Sequence, residues 1–165
     1  MSKDKIGDHP VEECGTCANE PLDVINSFTG KYAFLSNFSQ SYGAYPTVEH
    51  RYQAAKTLDA IEADSIMMCP TPGGAKRLGR SVTMRPDWDD IKLDVMYQLV
   101  LQKFGHDRVL KIKLLATGNA ELVEGNYWHD NYWGECRCLK CKENITPQNH
   151  LGRILMRVRR ELMVQ

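Results

Sequence analysis

Apolar positions recur at helical spacing over most of the chain. Pro46-Thr47 is a start signal, and the stretch VEHRYQAAKTLD that follows predicts a helix capped by Thr47. Val48, Tyr52 and Ala55 fall at i, i+4 and i+7 and form its core stripe. Gly73-Gly74 leads into a short helix over AKRLGR. Asp87 opens a longer helix in which Trp88, Ile91, Val95 and Leu99 keep the period and Gly105 follows the end. Asp107 opens another that stops at Gly118. The last helix begins near Asn149, with Leu151, Ile154, Leu155, Val158 and Leu162 on one face and Arg153, Arg157 and Arg160 on the other. One short aromatic run, Lys31 to Leu35, reads as a strand ending in the turn residues Ser36-Asn37. The pattern predicts a mainly α-helical chain, α+β with a few short strands, in a single compact domain.

Two regions break the periodicity. Residues 1–22 are polar, carry Pro10 and Pro21, and read as a tail ahead of a domain at 23–165. Between Gly118 and Asn149 lies a long aperiodic segment holding Trp128, Trp133, Cys136, Cys138 and Cys141. Structureless stretches of that length in a small domain are usually functional or disordered, and dense aromatics argue against disorder.

Composition narrows the classes. The chain has 165 residues, with 21 Lys+Arg against 21 Asp+Glu, so its formal net charge is zero. Sequence-blind nucleic-acid binding needs excess cations, and this chain has none to spare. The polar start has no apolar signal region, and no apolar run approaches membrane-spanning length. The expected setting is cytoplasmic, away from membranes, with six cysteines reduced or metal-bound. Nucleophile-elbow, dinucleotide-binding, P-loop and deaminase patterns are absent.

Four groups of residues carry candidate chemistry. Glu49, Gln53 and Lys56 lie at i, i+4 and i+7 of the first predicted helix, which aims an acid, an amide and an amine at one volume. Glycosidic cleavage uses such groups, one to meet positive charge at the anomeric carbon and one to manage protons. A solvated polar face is the equally weighted alternative. The run Glu124-Gly125-Asn126-Tyr127-Trp128-His129-Asp130-Asn131-Tyr132-Trp133-Gly134 alternates polar and aromatic residues, as a loop does that stacks on a planar ring and bonds its edges. Taken singly, Trp128 and Trp133 read as core and Asp130 as a turn cap. Lys76 and Arg80 after the glycine pair can hold a phosphate, although spacing alone favours a plain helix start with a solvated basic face. Finally, Cys14-x-x-Cys17 and Cys138-x-x-Cys141 are two knuckles able to close a structural zinc site, with Cys136 as a substitute ligand and free thiols as the alternative. None of the five histidines shows metal-ligand spacing.

The ordered set FLSNF at 34–38, YPTVEHRYQAAK at 45–56, AKRLGR at 75–80, RPDWDDIK at 85–92, LLATG at 114–118, EGNYWHDNYWG at 124–134 and LGRILMRVRREL at 151–162 resembles the NADAR (YbiA-like) family from Ile25 to Leu162. The tail and a Cys-rich insertion at 136–148 look like additions to it. The resemblance implies a compact helical fold and an N-glycosidase that cleaves a ribose C1′–N bond. Its implied substrates are ribosylamino-pyrimidine phosphates of early riboflavin biosynthesis or ADP-ribose on guanine, with ADP-ribosylated DNA as a potential partner. It implies no catalytic cofactor and leaves the oligomeric state open. Carried over by motif, Glu49 and Lys56 are catalytic, with Asp130 beside them. Trp88, Asn126, Trp128 and Trp133 shape the pocket, and Phe34, Asn37, His50, Gln53, Lys76 and Arg80 hold sugar and phosphate. A module that binds NAD-derived nucleotides without cleaving them is the competing reading.

Overall fold

The computed structural model describes residues 23–39 and 46–164. Its elements in order are β1 (Val24–Ile25), a 3-10 turn (Gly30–Leu35), α1 (Val48–Ala54), α2 (Ala60–Met67), α3 (Pro72–Leu78), α4 (Trp88–His106), α5 (Arg108–Leu115), β2 (Glu121–Leu122), β3 (Gly125–Asn126), β4 (Glu135–Cys136), α6 (Leu139–Asn144) and α7 (His150–Met163). The strands form two parallel pairs, β1 with β2 and β3 with β4. The mainly helical reading with a few short strands holds.

α4 and α7 pack together as the centre of the fold. Met96, Val100 and Phe104 of α4 and Leu151, Leu155, Val158 and Leu162 of α7 are fully buried in one cluster. Each such side chain contributes roughly 1.5–3 kcal/mol of burial free energy. The α7 stripe follows the sequence pattern closely. On α4 the deepest positions lie one step along from the predicted ones, and Ile91, Val95 and Leu99 are only partly buried. The opposite face of α7 keeps Arg153, Arg157 and Arg160 exposed as expected, while a fourth arginine turns inward. Arg159 is buried and donates to Thr117 Oγ1 at 2.7 Å and to the Ala120 carbonyl at 2.8 Å. Arg157 pairs with Glu161 at 3.0 Å and stacks over Tyr97.

Several local expectations change. Lys31–Leu35 is a 3-10 turn instead of a strand, anchored by the fully buried Leu35. α1 stops at Ala54, five residues earlier than its periodicity predicts, because the Lys56 carbonyl accepts the Arg85 amide at 2.8 Å and Thr57 bridges Met84. α4 continues through Gly105. Asp87 lends its carboxylate to Arg85 at 2.6 Å and does not cap α4, whereas Asp107 does cap α5, accepting from the amides of Val109 and Leu110. α2 and α6 have no counterpart in the sequence pattern. α2 buries only Ile66 completely and leaves Ile61 exposed, so its apolar stripe is too thin to stand out.

The start of α7 locks the aperiodic segment onto the core. Asn149 adopts a left-handed conformation, with φ of 48°. Its side chain donates to the Leu122 carbonyl at 2.9 Å and accepts the Glu124 amide at 3.2 Å. Gly152 faces the same carbonyl so closely that a Cβ would lie 1.9 Å from it. The segment from β2 to β4 is thereby fixed against α7, facing α1. The proposed tail at 1–22, with Cys14 and Cys17, lies outside the described residues.

Candidate active site

A cavity of about 760 Å³ opens between α1, the start of α4, the 36–38 segment and the aromatic loop after β2. That is within the range of small-molecule sites. Glu49, Gln53 and Lys56 form one wall, with Lys76 and Arg80 beside them. Glu124, Trp128, Asp130 and Trp133 form the opposite wall, and Asn37 and Trp88 also line it.

The α1 wall is held from behind. The Glu49 amide donates to the Asn37 carbonyl at 3.1 Å, which ties α1 to the 36–38 segment. That segment is anchored by Lys103, whose buried Nζ donates to the Ser36 carbonyl and to Ser39 Oγ, both at 2.8 Å. Burial pushes the Lys103 amine down to about 7. Gln53 Nε2 donates to Glu49 Oε1 at 2.7 Å and fixes the carboxylate. Burial raises the Glu49 pKa, against the opposing pull of Gln53, Lys76 and Lys56.

Lys56 is not on the helix that carries Glu49. It sits in the turn after α1, half-buried, with Nζ donating to the Gly79 carbonyl at 3.4 Å. Burial lowers its pKa, and the cations Lys76 and Arg80 lower it further against Glu49. An amine so placed is easier to deprotonate than an exposed lysine, as a nucleophile near neutral pH requires.

α1 and α3 meet at Gly79, where an added Cβ would lie 2.1 Å from Gln53 Oε1. That oxygen is buried and has no hydrogen-bond partner among the described residues. Gly79→Ala is expected to cost about 1–3 kcal/mol by overpacking. It should lower Tm and, by displacing Gln53 from Glu49, reduce activity more than Tm alone accounts for. A thermal melt beside an activity assay on the folded variant checks both; an unchanged protein would mean the contact is slack.

On the opposite wall the loop is braced by its own polar side chains. Asn126 Nδ2 donates to the Asp130 carbonyl at 2.7 Å, and its Oδ1 accepts the amides of Trp128 and Asp130 at 3.2 Å. Asp130 Oδ1 accepts the amides of Tyr132 and Trp133 at 3.1 and 2.8 Å. Trp133 packs edge-on against Tyr52 and Tyr132, while Trp128 stays 64% exposed at the rim, free to stack on a planar ligand.

Three residues expected to bind substrate lie elsewhere. Phe34 packs on Phe104 in the core. His50 is fully buried, sharing hydrogen bonds with Thr47 Oγ1 at 2.8 Å and with the Cys69 carbonyl at 3.0 Å. Asn126 lies behind the wall it braces. Conversely, Glu124 had no assigned role, yet it lines the cavity, and burial near Asp130 and Glu49 pushes its carboxyl up to about 7. Its only sequence signal was its place at the edge of the aromatic run. Tyr52, Lys92 and Tyr132 also line the cavity without having been singled out as ligand contacts.

Two of the four expected metal ligands, Cys138 and Cys141, lie among the described residues. His129, Cys136, Cys138 and Cys141 gather their donor atoms within 4.8 Å of one another and can hold a metal ion. Cys136 was the substitute ligand expected and His129 was not anticipated, while Cys14 and Cys17 lie outside the described residues. Spacing did not flag His129 because it reaches the cysteines through a loop, in a left-handed conformation with φ of 66°.

The NADAR domain family model matches residues 25–163. The chain is 39% identical over 143 residues to N-glycosidase Npun_R5314 of Nostoc punctiforme, covering 79% of this chain and 86% of that one. It is 37% identical over 151 residues to N-glycosidase YbiA of Escherichia coli, covering 86% and 90%. Riboflavin biosynthesis protein VVA0006 of Vibrio vulnificus matches at 36% identity over 138 residues, 79% of this chain but only 36% of that protein. The solution structure of Escherichia coli YbiA superposes with a TM-score of 0.72 and 33% identity over 87% of each chain.

Proposed function

Since the chain belongs to the NADAR family and is a hydrolase of N-glycosyl compounds, we propose that its cavity cleaves the ribose C1′–N bond of a small ribosylamino-pyrimidine phosphate. The observation that carries this reading is the meeting of Lys56, Glu49 and Glu124 in one cavity flanked by Lys76 and Arg80. Lys76 and Arg80 hold the phosphate. Trp128 and Trp133 stack the ring. Glu49 faces the positive charge that grows at C1′ as the bond to nitrogen lengthens.

The chemistry uses protein groups alone. The free Lys56 amine attacks C1′. The C1′–N bond breaks, and the departing nitrogen takes a proton from the Glu124 carboxyl. The bond from C1′ to the ring oxygen then opens, that oxygen gains the proton lost by Lys56, and an imine joins C1′ to Nζ. Water adds to the imine carbon, and release of Lys56 leaves free ribose phosphate. Substrate plus one water gives sugar plus amine, so the balance closes.

A small substrate is favoured over nucleic acid by the riboflavin biosynthesis names among the relatives. The test is product analysis by mass spectrometry, with a ribosylamino-pyrimidine phosphate and guanine-ADP-ribosylated DNA in parallel. Release of ribose phosphate from the small substrate is expected. ADP-ribose released from DNA, with the small substrate untouched, would replace this reading. Binding without turnover of either would favour the nucleotide-binding module.

A further inference from the structure

We propose that His129, Cys136, Cys138 and Cys141 bind one zinc ion, and that this zinc fixes the loop forming one wall of the cavity. The four residues come from three pieces of structure. Cys136 ends β4, which is paired with β3 so that Cys136 lies opposite Asn126. Cys138 is the N-cap of α6, and Cys141 lies in that helix, its amide donating to Cys138 Sγ at 3.4 Å. His129 comes from the aromatic loop.

The geometry suits a tetrahedral metal. His129 Nδ1 lies 3.2 Å from Cys141 Sγ, 3.4 Å from Cys138 Sγ and 3.9 Å from Cys136 Sγ. For Zn–N near 2.0 Å and Zn–S near 2.3 Å, the nitrogen–sulfur edge of a tetrahedron is about 3.5 Å. The three observed edges bracket that value. One ring nitrogen cannot hydrogen-bond three thiols at once, but it can share a metal with all of them. Cys136 and Cys141 are buried yet belong to neither apolar cluster, so packing does not explain their convergence.

A neighbouring amide supplies an independent sign. Asn131 Oδ1 accepts the Cys136 amide at 2.9 Å, while its buried Nδ2 is directed at the Cys141 sulfur. A donor aimed at a cysteine of the cluster suits a site whose sulfurs are thiolates, since metal-bound thiolates accept such bonds. Three thiolates and one imidazole favour zinc over harder cations. All four positions come from protein, leaving none open for water, so the zinc is structural. Its effect on the cavity follows from chain connectivity: His129 stands between Trp128 and Asp130, which both line it.

Elemental analysis of the full chain, purified without a metal-binding tag, should find one zinc per chain. Cobalt exchanged into the site should show thiolate charge-transfer and tetrahedral visible bands. Cys141→Ser and His129→Ala should lose most of the metal, while the double variant Cys14→Ser/Cys17→Ser should keep it. His129→Ala should also raise KM by about tenfold with a smaller change in kcat; this part rests on the proposed site, whereas metal content does not. Cobalt spectra of the unaltered chain do not depend on any variant folding. A metal-free chain whose thiols react freely, or one lighter by the two hydrogens of a disulfide, would overturn the proposal. Zinc lost only with Cys14 and Cys17 would overturn it too.

Discussion

A Lys56→Met protein is expected to fold, to retain substrate and to lose at least about a thousandfold in kcat, the scale on which removal of a covalent nucleophile acts. Stability should not fall with it. The Lys56 amine is half-buried and its pKa is lowered by that burial, so an apolar chain of similar length removes a desolvation cost. Its one hydrogen bond among the described residues, to the Gly79 carbonyl, is long at 3.4 Å. Lys56→Arg separates two roles. A guanidinium keeps the charge but cannot attack C1′, so it should be as inactive as methionine. Borohydride added during turnover should leave a reduced sugar phosphate on Lys56, identified by peptide mass. An active Lys56→Arg protein, or no adduct during confirmed turnover, would end the imine route.

Glu124→Gln is expected to make the protein more stable and less active. A raised carboxyl pKa means that the folded state binds its proton more tightly than the unfolded one. The stability linked to that proton is complete below the ordinary value of 4.5 and is lost as pH rises through about 7. Above pH 7 the buried charge therefore opposes folding, and the neutral amide should recover about 1–3 kcal/mol. The same proton is what the leaving nitrogen takes, so the rate should fall a hundredfold or more, within the usual range for losing a positioned acid, about 10²–10⁴. The unaltered enzyme should lose activity on the alkaline side of about 7 as Glu124 ionises. The variant's profile should lack the alkaline limb. Denaturant melts at pH 5 and pH 8, with pH–rate profiles, test both halves. Equal stability of the two proteins at pH 8 would show that Glu124 is not a buried acid.

The parts of the fold that were legible are those where a local period and a local buried face coincide. α7 is the clearest case: its stripe is continuous, and Leu151, Leu155, Val158 and Leu162 are all buried. α2 was invisible because one buried residue makes no stripe. The strand expected at Lys31–Leu35 failed because aromatic content signals burial without fixing backbone geometry, and here a 3-10 turn buries Leu35 as well. In the cavity, Glu49, Gln53 and Lys56 were found by helical spacing, although Lys56 reaches it from a turn that Arg85 and Met84 hold in place. His50 was grouped with its neighbours on α1, but its ring turns inward to Thr47 and Cys69.

By itself the sequence determined the helical class, the apolar face of the last helix, the family resemblance and the α1 residues that face the cavity. Side-chain direction within a helix is a local property, repeated every 3.6 residues, and can be read from spacing. Only the tertiary structure decided that Glu124 stands near Glu49, and that His129 joins three cysteines beyond it. A carboxyl's proton affinity depends on solvent lost and charges gained from residues far along the chain. A metal site depends on donor atoms meeting at a common point. Neither is a function of sequence separation, so both come into being only when the chain packs.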